Sequence, residues 1–586
     1  MRILGLNKGV SCSGKSLADG AIAYIEDGVL KALIMEERVT RELRKGGFER
    51  AFDELKKKFN IDKNDIDHIG VSTCTEPVTS SRVGIGSVFE KYESILHAVE
   101  HHYSHAYGTF CMSGFDEALI VVIDGGGNIL PDSVNPNNPN WWEEPREQHS
   151  YYIANKKDKN KVKLIDRDFD KPYDLGFGEL YRAATYLLGF NTSRKAANIM
   201  ALASHGHYES VPIEPFIRIV NGKMASELKY YYRDAYKSFD PLFNDKFKLA
   251  PLNQTHRSTP EELPQPYRDF CAFIQRNIEE VILEKLRLLK SETKASKLCI
   301  TGGTALNCVM NAKILESGLF DDVYVPFIPG DHGQSLGNAF VIGDKYDERK
   351  IYSFTNTQDA FLGADITDNP DGFNVSEIES LLSKKDDYSI AAIKNIEKLV
   401  AMLLIKNLVV LTCISNSEAG YRALGNRSIL SNAFNKNALE WRGAVQATKD
   451  REWFRPYAPA ILSSYFKKIS NKIIKSPYMS FAVDIKGIED CFGECKSIDS
   501  RARIQTVDEE SFIGRVLHEM EQMGNEPICL NTSFNFPRKP IVETLKDALD
   551  ALDKANIDIL ATNGHLVYKK SSHDLKTIIN CLHECM

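Results

Sequence analysis

The apolar residues in the first 300 positions follow two alternating spacings. A spacing of two residues is typical of half-buried strands, and spacings of three and four are typical of amphipathic helices. The turn Glu26-Asp27-Gly28 lies between two apolar runs and predicts a β-hairpin. The predicted strands are Ile3–Leu6, Ala21–Ile25, Val29–Met35, His68–Thr73, Ala118–Ile123 and Leu298–Ile300, and the predicted helices are Phe48–Phe59, Tyr92–Met112, Gly176–Leu188 and Glu262–Leu289.

The polar stretch Asp344–Asn374 interrupts this alternation, and we interpret it as a linker. The pattern then resumes, with predicted helices at Ile393–Lys406, Asp508–Met523 and Leu545–Ala555 and predicted strands at Leu408–Thr412 and Pro527–Leu530. A chain of 586 residues exceeds one hydrophobic core. We therefore expect two α/β domains, residues 1–345 and 375–586, and no internal repeat is evident in the sequence.

A second polar segment, Asp132–Asn160, is rich in Asn and Pro and contains Trp141 and Trp142. Long polar excursions inside compact domains often cover a binding site. We expect this segment to be such an excursion or lid.

Composition and charge exclude several classes of protein. The chain is 43% hydrophobic, with a net charge of −7, which gives no basic footprint for nucleic acid. No apolar run is long enough to span a membrane and no signal peptide is evident, so we expect a cytoplasmic protein with reduced cysteines. A zinc site built from Cys491, Cys495, Cys581, His583 and Cys585 is an alternative, but the spacing is not that of a standard zinc motif.

Two histidines and two aspartates suggest a metal site. His101 and His105 are four residues apart, so on a helix both imidazoles lie on one face. Asp124 precedes Gly125-Gly126-Gly127, and Asp331 follows Gly330. Two imidazoles with one or two carboxylates suit a divalent transition metal, and adjacent glycines allow a phosphate to approach the backbone. The alternative is an ordinary helix surface or a hydrogen-bonded core pair.

The run Gly9–Ser16 matches the Walker A pattern letter for letter. A P-loop must be followed by a helix, whereas Leu17–Met35 is predicted as two strands joined by a turn. We therefore reject a P-loop fold, although a glycine-rich loop before a hairpin can still contact phosphates. A second glycine pair, Gly302-Gly303, follows a predicted strand and suits a nucleotide at a helix N-terminus.

The second domain contains basic residues in loops flanked by glycine and proline. Arginine binds phosphates and carboxylates bidentately, so this pattern favours a phosphorylated or carboxylated small ligand. The alternative is a set of structural ion pairs with Glu418 and Glu452. The candidate residues are Arg422, Arg427, Lys449, Arg451, Arg455, Arg503, Asn531, Ser533 and Asn535.

These segments resemble the O-carbamoyltransferases of the nodulation-protein and antibiotic-tailoring family, almost from end to end. The most specific runs are Arg422–Ser428 and Asn531–Asn535. The resemblance implies an actin-like (ASKHA) ATPase core joined to a smaller α/β domain similar to the threonylcarbamoyl-AMP synthase fold. It also implies that carbamoyl phosphate and ATP give carbamoyl-adenylate, whose carbamoyl group passes to a hydroxyl of a small molecule such as a sugar or antibiotic.

The resemblance assigns roles to residues of this chain. His101, His105, Asp124 and Asp331 would hold a divalent metal, iron(II) in preference to magnesium, and His101 and His105 would also count as catalytic. Lys449 and Arg455 would be catalytic and bind carbamoyl phosphate in the second domain. The nucleotide and carbamoyl phosphate would be held by Gly125, Gly126, Gly302, Gly303, Asn307, Arg422, Arg427, Arg451, Arg503, Asn531 and Ser533. A homodimer is left open.

The chain departs from the family pattern in three places. The loop Asn7–Ser16 has no histidine where the family has a candidate base, Thr192–Ala203 lacks the usual Gly-Glu-x-Lys run, and Arg538-Lys539 replaces Gly-Glu. His102 and His332 are candidate bases by proximity, with structural roles as the alternative. Two other functions stay open: transfer of an activated acyl group to an amine or into a cyclisation, and a catalytically silent binding protein.

Overall fold

The computed structural model describes residues 1–9, 18–73, 94–128, 147–169, 176–190, 195–226, 228, 235–240, 248–253, 262–346, 360–363, 365, 374–434, 445, 448–449, 452–470, 474–493 and 495–585. The chain forms two compact units. Unit 1 comprises Met1–Glu36, Lys45–Thr355 and Glu452–Arg455, and unit 2 comprises Glu37–Arg44, Asn356–Arg451 and Pro456–Met586.

The first sheet of unit 1 follows the predicted apolar runs. Its strands are β1 (Arg2–Asn7), β2 (Ala21–Glu26), β3 (Val29–Met35), β4 (His68–Thr73) and β5 (Leu96–Glu100), in the order β3-β2-β1-β4-β5. The first three strands are antiparallel neighbours, and β4 and β5 extend the sheet in parallel to β1. The predicted hairpin is confirmed. The rejection of a P-loop is also confirmed, because a strand rather than a helix follows residue 20. Residues 10–16 of that motif lie outside the described residues.

The second sheet of unit 1 repeats this topology. Its strands are β6 (Glu117–Ile123), β7 (Glu147–Asn155), β8 (Val162–Phe169), β11 (Lys297–Thr301) and β12 (Asp322–Tyr324), in the order β12-β11-β6-β7-β8. Again three strands are antiparallel and two are added in parallel. A small hairpin, β9 (Ile217–Val220) and β10 (Lys223–Ser226), lies between β8 and β11 in the chain.

The repeated five-stranded topology is that of the actin-like fold, which confirms the predicted fold class. The duplication is in the order and direction of the strands, whereas no repeat is evident in the sequence itself.

The helices of unit 1 pack on these sheets. They are α1 (Glu36–Thr40, whose first residue only is in unit 1), α2 (Glu49–Phe59), α3 (His101–Ser113), α4 (Phe177–Leu187), α5 (Ala197–Ala203), α6 (Gln265–Thr293), α7 (Cys308–Glu316) and α8 (Gln334–Tyr346). Helices α3 and α8 approach each other where Gly108 faces Gly337, because a Cβ on Gly108 would lie 2.9 Å from the Gly337 Cα. None of the helices in the described ranges is both long and apolar enough to cross a bilayer.

Unit 2 is built on one mixed sheet of nine strands, which confirms a second α/β domain. The strand order is β13-β21-β20-β14-β15-β19-β16-β18-β17. The strands are β13 (Tyr388–Ala392), β14 (Val410–Cys413), β15 (Ser428–Asn432), β16 (Ala458–Leu462), β17 (Phe481–Asp484), β18 (Arg501–Val507), β19 (Ile528–Ser533), β20 (Ile559–Thr562) and β21 (His565–Lys569). The helices are α9 (Val375–Leu381), α10 (Ile396–Ile405), α11 (Ser463–Ile469), α12 (Phe512–Gln522), α13 (Leu545–Lys554) and α14 (Leu575–Cys585). Buried residues such as Leu403, Val516 and Ile578 form the core between α10, α12, α14 and the sheet.

Three local predictions were wrong. The predicted helix Tyr92–Met112 begins only at His101, because Leu96–Glu100 pairs with β4 as an edge strand. The predicted linker begins too early, since Asp344 is still within α8. The second half of the predicted lid is β7, an interior strand, while Trp141 and Trp142 lie outside the described residues.

Two short segments belong to the unit built mainly from the other half of the chain. Within unit 2, the buried Arg38 guanidinium pairs with Glu543 at 3.1 Å and donates to the Glu418 carbonyl at 3.0 Å. Within unit 1, the buried Glu452 carboxylate pairs with Lys195 and accepts from the Asn198 amide at 3.1 Å. Each segment is therefore tied into its unit by a buried ionic group.

Candidate functional site

The two predicted histidines occupy the first and fifth positions of helix α3. Glu100, the preceding residue, has an extended backbone and ends strand β5, so the chain turns directly from strand into helix. Both imidazoles are buried, with relative exposures of 4% for His101 and 3% for His105. The predicted shared face is therefore present, at the N-terminal end of the helix.

The two predicted aspartates lie against these imidazoles. His101 Nε2 is 3.0 Å from Asp124 Oδ2 and 3.5 Å from Asp331 Oδ1. His105 Nε2 is 3.8 Å and 3.4 Å from the same two oxygens. Asp124 comes directly after β6, and Asp331 begins a short 3-10 turn before α8. Residues up to 230 positions apart in the chain therefore lie together, because the ends of strands β5 and β6 and the starts of helices α3 and α8 bring them there.

This group fits a divalent ion. The four donor atoms lie within 4.8 Å of one another, and in the described part of the chain no other set of three or more His, Cys, Asp or Glu residues is so arranged. Ligands bound at about 2.1 Å to one octahedral ion stand about 3 to 4 Å apart, so small side-chain adjustments suffice. His105 Nε2 is buried and makes no hydrogen bond to a described residue, as expected of a ligand atom.

The electrostatics of the group favour a charged carboxylate. Burial raises the pKa of Asp331, but the neighbouring imidazoles of His101 and His105 outweigh burial and hold that pKa well below its usual value. A deprotonated carboxylate is the form that binds a metal. The arrangement can therefore hold a cation and, through it, anionic phosphates.

The predicted glycine pair lies beside this group. Gly302 has a φ of 92°, and a Cβ there would lie 2.3 Å from the Ile123 carbonyl oxygen, so the loop requires glycine. The backbone N–H of Gly303 donates to Asp124 Oδ1 at 3.0 Å, which leaves the Oδ2 atom for the histidines. Gly125 and Gly126 directly follow Asp124, and around Gly125 there is open space.

Asn307 already makes a full set of contacts. Its Oδ1 accepts from the Met310 N–H at 3.0 Å and caps α7. Its Nδ2 donates to the Tyr181 hydroxyl at 2.9 Å and to Gln275 Oε1 at 3.0 Å. The amide therefore fixes the loop after Gly303, and a nucleotide contact would have to replace one of these bonds.

The two candidate bases are both buried in structural positions. His102 is fully buried, its Nδ1 lies 2.7 Å from Ser150 Oγ, and burial lowers its pKa well below the usual value. His332 is also fully buried, with Nε2 3.8 Å from Asp19 Oδ1. This placement supports a structural role for both histidines, which is the alternative to a role as base.

In unit 2, Lys449 and Ser533 come together at the end of strand β19. The Lys449 ammonium donates to Ser533 Oγ at 3.0 Å and to Asn535 Oδ1 at 2.6 Å. Both oxygens belong to neutral side chains, and the lysine is half-buried.

Asn531 lies two residues earlier on the same strand. Its Nδ2 donates to Gln505 Oε1 at 2.8 Å and to the Ala423 carbonyl at 3.2 Å. Its Oδ1 is buried and makes no hydrogen bond to a described residue. Asn531 therefore has a fixed orientation and an unused acceptor.

The four remaining unit 2 arginine candidates differ in their surroundings. Arg427 is fully buried and donates to the carbonyls of Ile414, Ser415, Asn426 and Glu543 at 2.6 to 3.1 Å. Its guanidinium therefore braces the loop, and a contact with a ligand would have to replace one of these bonds. Arg422 and Arg503 are half-buried, and Arg451 lies outside the described residues.

Arg455 lies in unit 1 rather than with Lys449 in unit 2. Its guanidinium is 3.3 Å from Glu452 Oε2, and the same carboxylate pairs with Lys195. Burial raises the pKa of Glu452, but Arg455 and Lys195 outweigh it and bring the pKa to about 2. The ion pair with Glu452 that formed the alternative interpretation is present, while Glu418 instead accepts three backbone N–H groups.

The cysteines support the structural alternative to a zinc site. Cys581 is buried in the core of unit 2, and Cys585 packs against the Met402 sulfur at 3.3 Å. Cys495 is buried, and burial raises the pKa of the Cys491 thiol.

Sequence reasoning missed the residues that support the metal ligands. Gln334 contacts both His101 and Asp331, Asn7 donates to the Asp331 carbonyl at 2.8 Å, and Asn128 accepts from the His101 N–H at 3.2 Å. Neutral amides have no sequence signature as supporting residues. Only the proximity of Gln334 to Asp331 in the sequence gave a signal.

Comparison with known proteins adds family matches over most of the chain. Residues 79–340 match the family model Carbamoyltransferase N-terminus, and residues 401–569 match Carbamoyltransferase C-terminus. An uncharacterised protein of Methanocaldococcus jannaschii is 28% identical over 95% of this chain and 99% of its own length. Nodulation protein NolNO of Sinorhizobium fredii is 25% identical over 98% of this chain and 83% of its own length. Among solved structures, full-length HypF in its phosphate- and nucleotide-bound form aligns with 60% of this chain and 56% of its own, at 15% identity and a TM-score of 0.31.

Proposed function

Because this chain belongs to the carbamoyltransferase family, we propose that it forms carbamoyl-adenylate from carbamoyl phosphate and ATP and transfers the carbamoyl group to a hydroxyl of a small molecule. The observation that carries this proposal is the group of His101, His105, Asp124 and Asp331, whose donor atoms lie within 4.8 Å of one another and of which only Asp331 is partly exposed. A cation site beside a glycine loop is what a nucleotide-dependent reaction requires.

In the first step, water cleaves carbamoyl phosphate into carbamate and phosphate, and a carbamate oxygen then forms a bond to the α-phosphorus of ATP as pyrophosphate leaves. The products carbamoyl-adenylate, pyrophosphate and phosphate together contain one oxygen more than the two substrates, so one water is consumed. In the second step, the acceptor oxygen bonds to the carbamoyl carbon, AMP leaves, and the hydroxyl proton passes to a base.

We assign carbamoyl phosphate to the loops of unit 2. The Lys449 ammonium suits the phosphate, and the half-buried Arg422 and Arg503 are further candidates for it. The unused Asn531 Oδ1 is an acceptor that fits the NH₂ of a carbamoyl group. Ser533, held against Lys449, completes the set.

We assign the nucleotide to unit 1. The backbone around Gly125, Gly126, Gly302 and Gly303 would lie along its phosphates, and the four metal ligands would hold a divalent ion there. Mixed imidazole and carboxylate ligation favours iron(II) over magnesium, which prefers oxygen ligands alone. When bound, the ion offsets negative charge on the phosphates as the reaction proceeds.

The test is anaerobic incubation of the full chain with ATP, carbamoyl phosphate and iron(II), followed by mass spectrometry. We expect AMP, pyrophosphate and carbamoyl-adenylate whose formation depends on carbamoyl phosphate. Asp331→Ala should remove this activity, whereas Asp116→Ala, which changes an exposed carboxylate of the same unit, should retain it. Stabilisation by the ligands without product would instead favour the silent binding protein.

A further inference from the structure

A buried glutamine lies between two of the metal ligands. Gln334 begins helix α8 and has a relative exposure of 1%. Its side-chain nitrogen is 3.1 Å from Asp331 Oδ1 and 3.1 Å from His101 Nε2. The hydroxyl of Ser104, on helix α3 between the two histidines, donates to the Gln334 carbonyl at 3.0 Å. Both the side chain and the backbone of Gln334 are thus tied to the metal centre.

The orientation of the Gln334 amide follows from a chain of buried hydrogen bonds. The Leu6 carbonyl can only accept, and it accepts from Asn338 Nδ2 at 2.8 Å. The same Nδ2 donates to Ser72 Oγ at 3.1 Å, so the Ser72 hydroxyl must direct its own proton elsewhere. That proton goes to Gln334 Oε1. The Gln334 NH₂ group is therefore turned toward Asp331 and His101.

We propose that Gln334 is a positioning residue of the metal centre, which donates to Asp331 Oδ1 and is itself oriented through Ser72 and Asn338 by the backbone of β1. This inference rests on the proposed metal centre and goes beyond it, because it names a residue that does not bind the ion but fixes one that does. A carboxylate with one oxygen held by an N–H offers the ion a defined direction of approach.

The neutrality of the amide is part of this role. A glutamate at position 334 would place an additional negative charge 3.1 Å from an Asp331 oxygen and would remove the N–H donor. A leucine would keep much of the volume and remove both the donor and the acceptor. The difference between native and Leu variants therefore measures the hydrogen bonds themselves.

The test measures binding of iron(II) alone to the metal-free full chain by anaerobic calorimetry, with no nucleotide present. Removing a hydrogen-bonding partner of a metal ligand typically costs about 10- to 100-fold in metal affinity, and we expect this loss for Gln334→Leu. We expect a loss of about threefold to tenfold for Ser72→Ala, which frees the amide to rotate. Asn277→Leu, which changes a buried amide of the same unit that bonds to the backbone of Ile217, should bind as the native chain does.

A double-mutant cycle separates positioning from general damage. Because Ser72 acts through Gln334, Ser72→Ala should cost less than about twofold in the Gln334→Leu background. Native affinity in Gln334→Leu, or additive losses in the double variant, would overturn the inference while leaving the metal centre intact. Failure of the native chain to bind iron(II) would overturn the metal centre itself and the inference with it.

Discussion

The candidate metal centre of unit 1 and the loop of unit 2 that contains Arg427 look alike in sequence, since both place charged side chains beside glycines, yet their hydrogen bonds differ. In unit 1, His105 Nε2 has no hydrogen bond to a described residue although two carboxylate oxygens lie within 3.8 Å. In unit 2, the Arg427 guanidinium donates to four backbone carbonyls. A polar group with unused bonding capacity can serve a ligand, whereas one with its donors engaged serves the fold.

The same distinction applies within unit 2. Lys449 donates to the side-chain oxygens of Ser533 and Asn535, and Asn531 Oδ1 makes no hydrogen bond to a described residue. Arg38, in contrast, is buried in a pair with Glu543. The comparison therefore predicts which substitutions affect folding and which affect binding.

The largest effect is expected for Arg427→Leu. Loss of the guanidinium leaves four backbone carbonyls, three of them buried, without their donor, and we expect the free energy of unfolding of unit 2 to fall by about 3 to 5 kcal/mol. Denaturant unfolding measures it. Arg515→Leu, which removes an exposed guanidinium paired with Glu397, should change stability by less than about 1 kcal/mol. If the Arg427→Leu protein were as stable as the native chain and lost only its dependence on carbamoyl phosphate, Arg427 would serve the ligand rather than the fold.

Next in size is Asp331→Ala. The variant removes one of two anionic ligands and should lower iron(II) affinity by at least about 100-fold, while the chain stays folded. Anaerobic elemental analysis after gel filtration measures bound iron, and circular dichroism tests the fold. Iron bound as in the native chain would remove Asp331 from the site.

A smaller, pH-dependent effect is expected at Glu452. Its pKa is about 2 in the folded chain and lies near 4.5 when unfolded, so its contribution to stability is present above pH 4.5 and is lost as pH falls toward 2. Since Lys195 and Arg455 are partly exposed, we expect about 2 kcal/mol. Thermal unfolding from pH 6 to 3 should show a shallower pH dependence in Glu452→Gln than in the native chain. Parallel curves would contradict the ion pair.

The smallest effect is expected for Lys449→Met. We predict that the carbamoyl phosphate concentration for half-maximal AMP formation rises about tenfold, with little change in stability, because a charge-assisted contact is lost. Lys467→Met, at an exposed position on helix α11, is the matched control. An unchanged carbamoyl phosphate dependence would remove Lys449 from the pocket.

Local patterns were sufficient for most of the secondary structure and for grouping the candidate metal ligands. Strands such as β2 and β3 followed from alternation and a turn, and the i, i+4 spacing of His101 and His105 put them on one face. Where a local pattern was ambiguous, strand pairing determined the secondary structure. Leu96–Glu100 is apolar enough for a helix, but it forms a strand because β4 pairs with it in parallel. Residue type and glycine context were enough to group Asp124 and Asp331 with these histidines, and only the tertiary structure gives the distances between their side-chain atoms.

The sequence by itself determined the α/β class, the two-unit organisation and the residue types available for chemistry, because periodicity, composition and ligand spacing are local properties of the chain. Tertiary structure alone decided that Arg427 braces a loop, that Arg455 lies in unit 1 and that Gln334 faces Asp331. These roles depend on which donors and acceptors remain unpaired after folding. That depends on contacts between residues hundreds of positions apart, and no local pattern encodes them.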